Sequence, residues 1–115
     1  MTGAVDRPAP FGDDDEDDVL HVTSTGAWDD AQESGVYAIP DGAPFIHLCR
    51  PWQLAGVVER FYPPPHGDLL VLTVEPDDLR IVVEPAADGA GDFPHLYGTL
   101  PVDNVSDVRP LGAVL

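Results

Sequence analysis

Leu69-Leu70-Val71-Leu72-Thr73-Val74 is apolar at every position but Thr73. The run is short for a core helix, and apolar residues on both faces suit a strand covered on both sides. Such a strand needs partners and covering layers, and the flanking sequence supplies both. Downstream, Pro76-Asp77-Asp78 reads as a turn and Ile81-Val82-Val83-Glu84 as a further strand. Residues 93–100 lead into a last apolar stretch with Val102, Val105 and Val108, interrupted by a turn at Asp103-Asn104. Upstream, Val19-Leu20-His21-Val22-Thr23 reads as a strand, and Ser24-Thr25 as the cap of a helix running to about Ser34. Trp28 and Ala31 form that helix's buried stripe, and Gly35 its stop. Val36 to Ile39 is a short extended piece, Pro40-Asp41-Gly42 a turn, and Phe45-Ile46-His47-Leu48-Cys49 a strand. Pro51 opens a second amphipathic helix on the stripe Leu54, Val58, Phe61, which Pro63-Pro64-Pro65 ends. The pattern predicts a single α+β domain over residues 19–115. Its mixed β-sheet is split or strongly bent, and two helices come from the N-terminal half.

Composition narrows the chemistry. The chain has 115 residues, with 21 acidic side chains against 5 basic ones, for a net charge of −16. Residues 1–18 hold Asp13-Asp14-Asp15-Glu16-Asp17-Asp18, and adjacent carboxylates repel one another, so a disordered acidic tail is expected there. A calcium loop starting at Asp13 would need Gly where Asp18 stands and Glu where Ser24 stands. An acidic surface excludes non-specific binding to nucleic acid or anionic membrane, both of which need clustered cations. The tail instead suits a basic protein partner. There is no Lys, and Cys49 is alone, which excludes a Lys nucleophile, a disulfide framework and a Cys-rich zinc module. No run approaches the ~18 apolar residues of a membrane span, and no signal-peptide pattern opens the chain, so a cytoplasmic location is expected.

The residues that bear chemistry are His21, His47 and His95, each set among apolar strand residues, together with Glu84 at a strand end and Tyr97 beyond His95. A buried imidazole has two ring nitrogens to satisfy, so several of them on apolar strands imply a shared polar pocket. His95 and Tyr97 are two apart and share a face if extended, as do His47 and Cys49. Gln53 and Arg60 are expected near the pocket rim. The alternative for any one histidine is a core residue bonded to backbone. Zinc is not expected, because no compact ligand spacing is present, and Cys49 reads as a small buried hydrophobe. The loop at residues 86–92 joins Glu84 to the next strand and could gate the pocket or serve as a plain connector.

Two segments carry a resemblance. Phe45-Ile46-His47-Leu48-Cys49 with Gln53, and Phe93-Pro94-His95-Leu96-Tyr97-Gly98 with Leu100-Pro101, look like the signatures of domain-of-unknown-function family 952. Cys49 stands where members usually carry Ser. That family distantly resembles the ADP-ribosyltransferase fold, in which a first-strand His followed by a small residue and Thr holds the NAD ribose. His21-Val22-Thr23 is similar to that motif, with Val22 where Gly is usual. The resemblance implies NAD or a related nucleotide as ligand, His21 and Thr23 as binding residues, His47 near nicotinamide, and Glu84 as the carboxylate. On this reading His47, Glu84 and His95 are catalytic candidates, and His21, Thr23, Gln53, Arg60 and Tyr97 bind the ligand. Two further classes stay open: a ligand-binding or protein-interaction module without turnover, and a cofactor-free acid–base enzyme built on a histidine and Glu84.

Overall fold

The computed structural model describes residues 18–39, 42–86 and 91–114. The tail expected at residues 1–18 lies outside them except for Asp18. So does the centre of the 86–92 loop.

Strand β1 (Val19–Ser24) runs directly into helix α1 (Thr25–Ser34). The Ser24 hydroxyl accepts from the Ala27 N–H, and Gly35 closes the helix at φ 92°, a left-handed angle that favours glycine. Strand β2 (Val36–Tyr37) follows, then β3 (Ile46–His47), a 3₁₀ turn (Pro51–Gln53) and helix α2 (Leu54–Phe61). The second half contains β4 (Leu69–Val74), β5 (Ile81–Pro85), β6 (Asp92–Leu96), β7 (Leu100–Pro101), a 3₁₀ turn (Val102–Asn104), β8 (Val105–Pro110) and a terminal turn of helix, α3 (Leu111–Val114).

The strands split into three sheets with orders β1-β4-β8, β2-β7 and β3-β6-β5. β4 is the middle strand of its sheet, as its two apolar faces predict. Leu72 and Val74 pack with Val19, Trp28, Ala31, Ile46 and Leu96 on one side. Val71 packs with Leu20, Val22, Leu54, Val58 and Leu111 on the other. Each of the Leu, Ile and Val side chains contributes about 1.5–3 kcal/mol by leaving water, so Leu72→Ala would open both the sheet and the α1 contact.

Two features differ from the expected pattern. Every ladder among the described strands is antiparallel, so the split sheet has no parallel pair to make it mixed. β3 is also shorter than the expected five-residue strand. Its ladder stops at His47↔His95, because the next residue of β6 is Pro94, which has no N–H to donate. Leu48 still donates to the Pro94 carbonyl at 3.1 Å. Cys49 turns instead to β1, where it exchanges two backbone hydrogen bonds with Leu20 at 2.7 and 2.8 Å. That crossing ties the β3-β6-β5 sheet to the β1-β4-β8 sheet.

Candidate functional site

Register builds the site. On β6, His95 lies directly across from His47 of β3 on one side and from Val82 of β5 on the other. Residues two apart along a strand share its face, so Glu84 joins His95 diagonally and Tyr97 follows one residue past the strand end. The His95 Nδ1–H donates to Glu84 Oε1 at 2.8 Å, and the Tyr97 hydroxyl donates to the same oxygen at 2.6 Å. These donors, Tyr97 foremost, hold the Glu84 carboxyl below the usual carboxylate range, and the nearby Arg80 guanidinium adds to the effect. The same bond pushes the Tyr97 phenol above its ordinary value of 10. Glu84 is therefore ionised and Tyr97 protonated at neutral pH.

Phe45 lies flat on His95, with centroids 3.9 Å apart and planes at 13°, and meets His47 edge-on at 4.7 Å. The two imidazoles stand 5.5 Å apart at 84°. Burial, and then the proximity of His95, lower the pKa of His47.

His21 sits deeper. Its Nδ1–H donates to the His47 carbonyl at 2.6 Å, which leaves Nε2 to accept from the Tyr37 hydroxyl at 3.1 Å. Tyr37 in turn accepts from the Thr23 hydroxyl at 2.9 Å. Burial lowers the His21 pKa to about 4, against the upward pull of the His47 carbonyl. The ring is neutral, with its proton fixed on Nδ1.

These groups border a cavity of about 870 Å³ that draws its lining from β1, β3, β5, β6 and α2. Leu20, Val22, Val57, Phe61 and Phe93 give it an apolar side, while His47, Glu84, His95, Tyr97 and Arg60 give it a polar one. His21 contributes to the lining with both nitrogens already bonded. Thr23 is spent on Tyr37. Gln53 faces a smaller hollow of about 260 Å³, with Trp52 and Asp92. Its side chain accepts from the Arg50 N–H at 2.8 Å and donates to the Asp92 carbonyl at 2.7 Å, pinning the start of α2 to β6. Arg60 borders both spaces, its guanidinium 5.4 Å from the Phe61 ring centroid. Of the loop at residues 86–92, Ala86 borders the cavity and donates from Ala86 N–H to the Gly91 carbonyl at 2.8 Å; residues 87–90, on which gating would turn, lie outside the described residues. Among the described residues, no group of three or more His, Cys, Asp or Glu is arranged to hold a metal ion.

Sequence reasoning overlooked Tyr37, Phe45 and Arg80 as site residues. Phe45 had a usable signal, since it precedes His47 by two and so shares its face in an extended chain. Arg80, whose guanidinium lies 5.3 Å from the Tyr97 ring centroid, and Tyr37, which reaches His21 from β2, had none.

A family model described as "Protein of unknown function (DUF952)" matches residues 22–108. Among solved structures, the chain is similar to the X-ray crystal structure of protein CC0527 from Caulobacter crescentus, with 26% identity and a TM-score of 0.71 over 80% of this chain and 83% of that one. The solution NMR structure of CC0527 gives 27% identity and a TM-score of 0.67 over 82% of this chain and 84% of that one. No curated protein matches. No helix of the described residues is long and apolar enough to cross a membrane.

Proposed function

We propose a function from the premise that this chain belongs to the DUF952 family: it is a small-ligand-binding domain whose cavity receives NAD or a related nucleotide. The observation that carries this reading is the convergence of His47, Glu84, His95 and Tyr97 on one wall of a cavity of about 870 Å³, within the ~300–1,000 Å³ typical of small-molecule sites. Several hydrogen-bonding groups on one wall of an otherwise apolar cavity give a bound ligand fixed points of orientation.

The residues present fit such a ligand. Phe45, Phe61 and Phe93 offer rings to a nicotinamide or adenine, Glu84, His47 and Tyr97 offer partners to ribose hydroxyls, and Arg60 offers a cation to phosphate. His21, with both nitrogens engaged, supports the His47 backbone rather than touching the sugar. A nicotinamide nucleotide would supply a glycosidic bond whose cleavage builds positive charge on the ribose, next to which an ionised Glu84 is favourable.

A thermal-shift series with NAD, ADP-ribose and nicotinamide tests the reading. A ligand at a hundred times its dissociation constant adds about 2.7 kcal/mol. The expected result is a rise in melting temperature with at least one of the three, lost in His47→Ala while the free variant melts like the parent. No shift with any of them overturns the nucleotide assignment.

A further inference from the structure

The three histidines near the cavity differ in what their second nitrogen does. His21 has both nitrogens bonded within the protein. His47 is exposed, and its ring makes edge-on contacts with Phe45 and His95. His95 is only 7% exposed, and its Nδ1–H is taken by Glu84 at 2.8 Å. Among the described residues no hydrogen bond reaches His95 Nε2. A buried acceptor without a partner is destabilising, and the space that His95 borders is the cavity, so its partner comes from the cavity's contents. The ring cannot turn away. Phe45 stacks on it at 3.9 Å, and the bond from Nδ1–H to Glu84 fixes its orientation. Glu84 is itself held, because Tyr97 donates to the same oxygen at 2.6 Å.

We propose that His95 is a general base of this cavity, with Glu84 as its positioning residue, and that the pair activates water for hydrolysis of a small-molecule substrate at an electrophilic carbon. The inference rests on reading the cavity as a ligand site. In the step, an O–H bond of water breaks and its proton passes to His95 Nε2. The freed electron pair on oxygen forms the bond to the electrophilic carbon. The bond to the leaving group breaks, and its electron pair departs with that group, which takes the proton back from the imidazolium. Water and substrate become two products, and the base is restored. The Glu84 carboxylate stays ionised throughout and balances the charge on the ring through Nδ1–H.

The probe is p-nitrophenyl acetate, an ester small enough for the cavity, hydrolysed by the full chain. The parent is expected to exceed His95→Gln in rate across pH 6–8, and to slow in D₂O as proton transfer requires. Glu84→Gln is expected to lose about tenfold, the worth of one hydrogen bond to a charged group, with its pH profile displaced. A parent no faster than His95→Gln, or a rate indifferent to D₂O, overturns the proposal. If His95→Gln does not fold, diethyl pyrocarbonate treatment of the parent replaces it. Loss of turnover must then track modification of the His95 peptide, and turnover that survives its full modification overturns the proposal. The nucleotide assignment fails separately. A protein that turns over the ester but shows no thermal shift keeps the base and loses the nucleotide. One that binds nucleotide but hydrolyses the ester no faster than His95→Gln keeps the ligand and loses the base.

Discussion

His21 is neutral in the fold because burial lowers its pKa from 6.5 to about 4, so between those values the unfolded chain binds the additional proton. Its stabilising contribution is complete above about pH 6.5 and is withdrawn as the pH falls toward 4, by about 3 kcal/mol in total. Urea titrations at pH 7 and pH 4.5 should show a larger loss in the parent than in His21→Gln, which should also be about 2 kcal/mol less stable at pH 7. Glu84, held below the usual carboxylate range, loses its contribution at still lower pH in both proteins, so it cancels in the comparison. Equal pH slopes would mean that His21 does not titrate as a buried group. Cys49 makes a second prediction at this scale. It is 3% exposed, and burial pushes its thiol up to about 12, so iodoacetamide at pH 8 should label it only in the denatured chain. Which residues bear polar chemistry was legible from sequence, because an imidazole or carboxylate among apolar strand residues is costly wherever it falls. Which nitrogen meets which partner was not. The tautomer of His21 depends on Tyr37, sixteen residues away, and no local pattern links the two.

Among the elements, α1 was the most legible, since its signals are local. Ser24 accepts from Ala27 N–H at 3.0 Å, and Gly35 takes the left-handed angle that closes the helix. Ser24→Ala should cost about 1 kcal/mol, read as a lower urea midpoint with an unchanged slope. An undiminished midpoint would mean that water replaces the cap without loss. Helix α2 was legible in its Leu54 and Val58 pair, buried against Leu20, Val22 and Val71. Its third stripe residue, Phe61, is instead 63% exposed. An apolar stripe marks one face of a helix, without distinguishing a packed core from the wall of an open cavity. Phe61 borders the cavity, so the periodicity holds while the burial does not. The length of β3 was illegible for a different reason. It is set by the missing N–H of Pro94, a residue of another strand that only the register brings opposite.

For the molecule as a whole, the charge of −16 is spread over a chain of 115 residues, and like charges held in a small volume oppose the compact state. Raising NaCl from 10 to 500 mM should screen this repulsion and raise the melting temperature by about 4 °C, the shift that ~1 kcal/mol produces in a domain of this size. KCl should act equally. A rise with one salt alone would point to a specific ion site instead. Overall class was legible because two helical stretches come early and a run of strands follows, whereas the tie between two of the sheets was not, since it depends on Cys49 pairing with Leu20 of β1 just after β3 leaves β6. That crossing is written in the main chain, as two reciprocal bonds between Leu20 and Cys49. Amide groups are common to every residue type but proline as donors, and so a join of this kind is indifferent to which side chains project beside it. Phe61, 63% exposed and outside both core clusters, can therefore be randomised in a selection library without unfastening the scaffold.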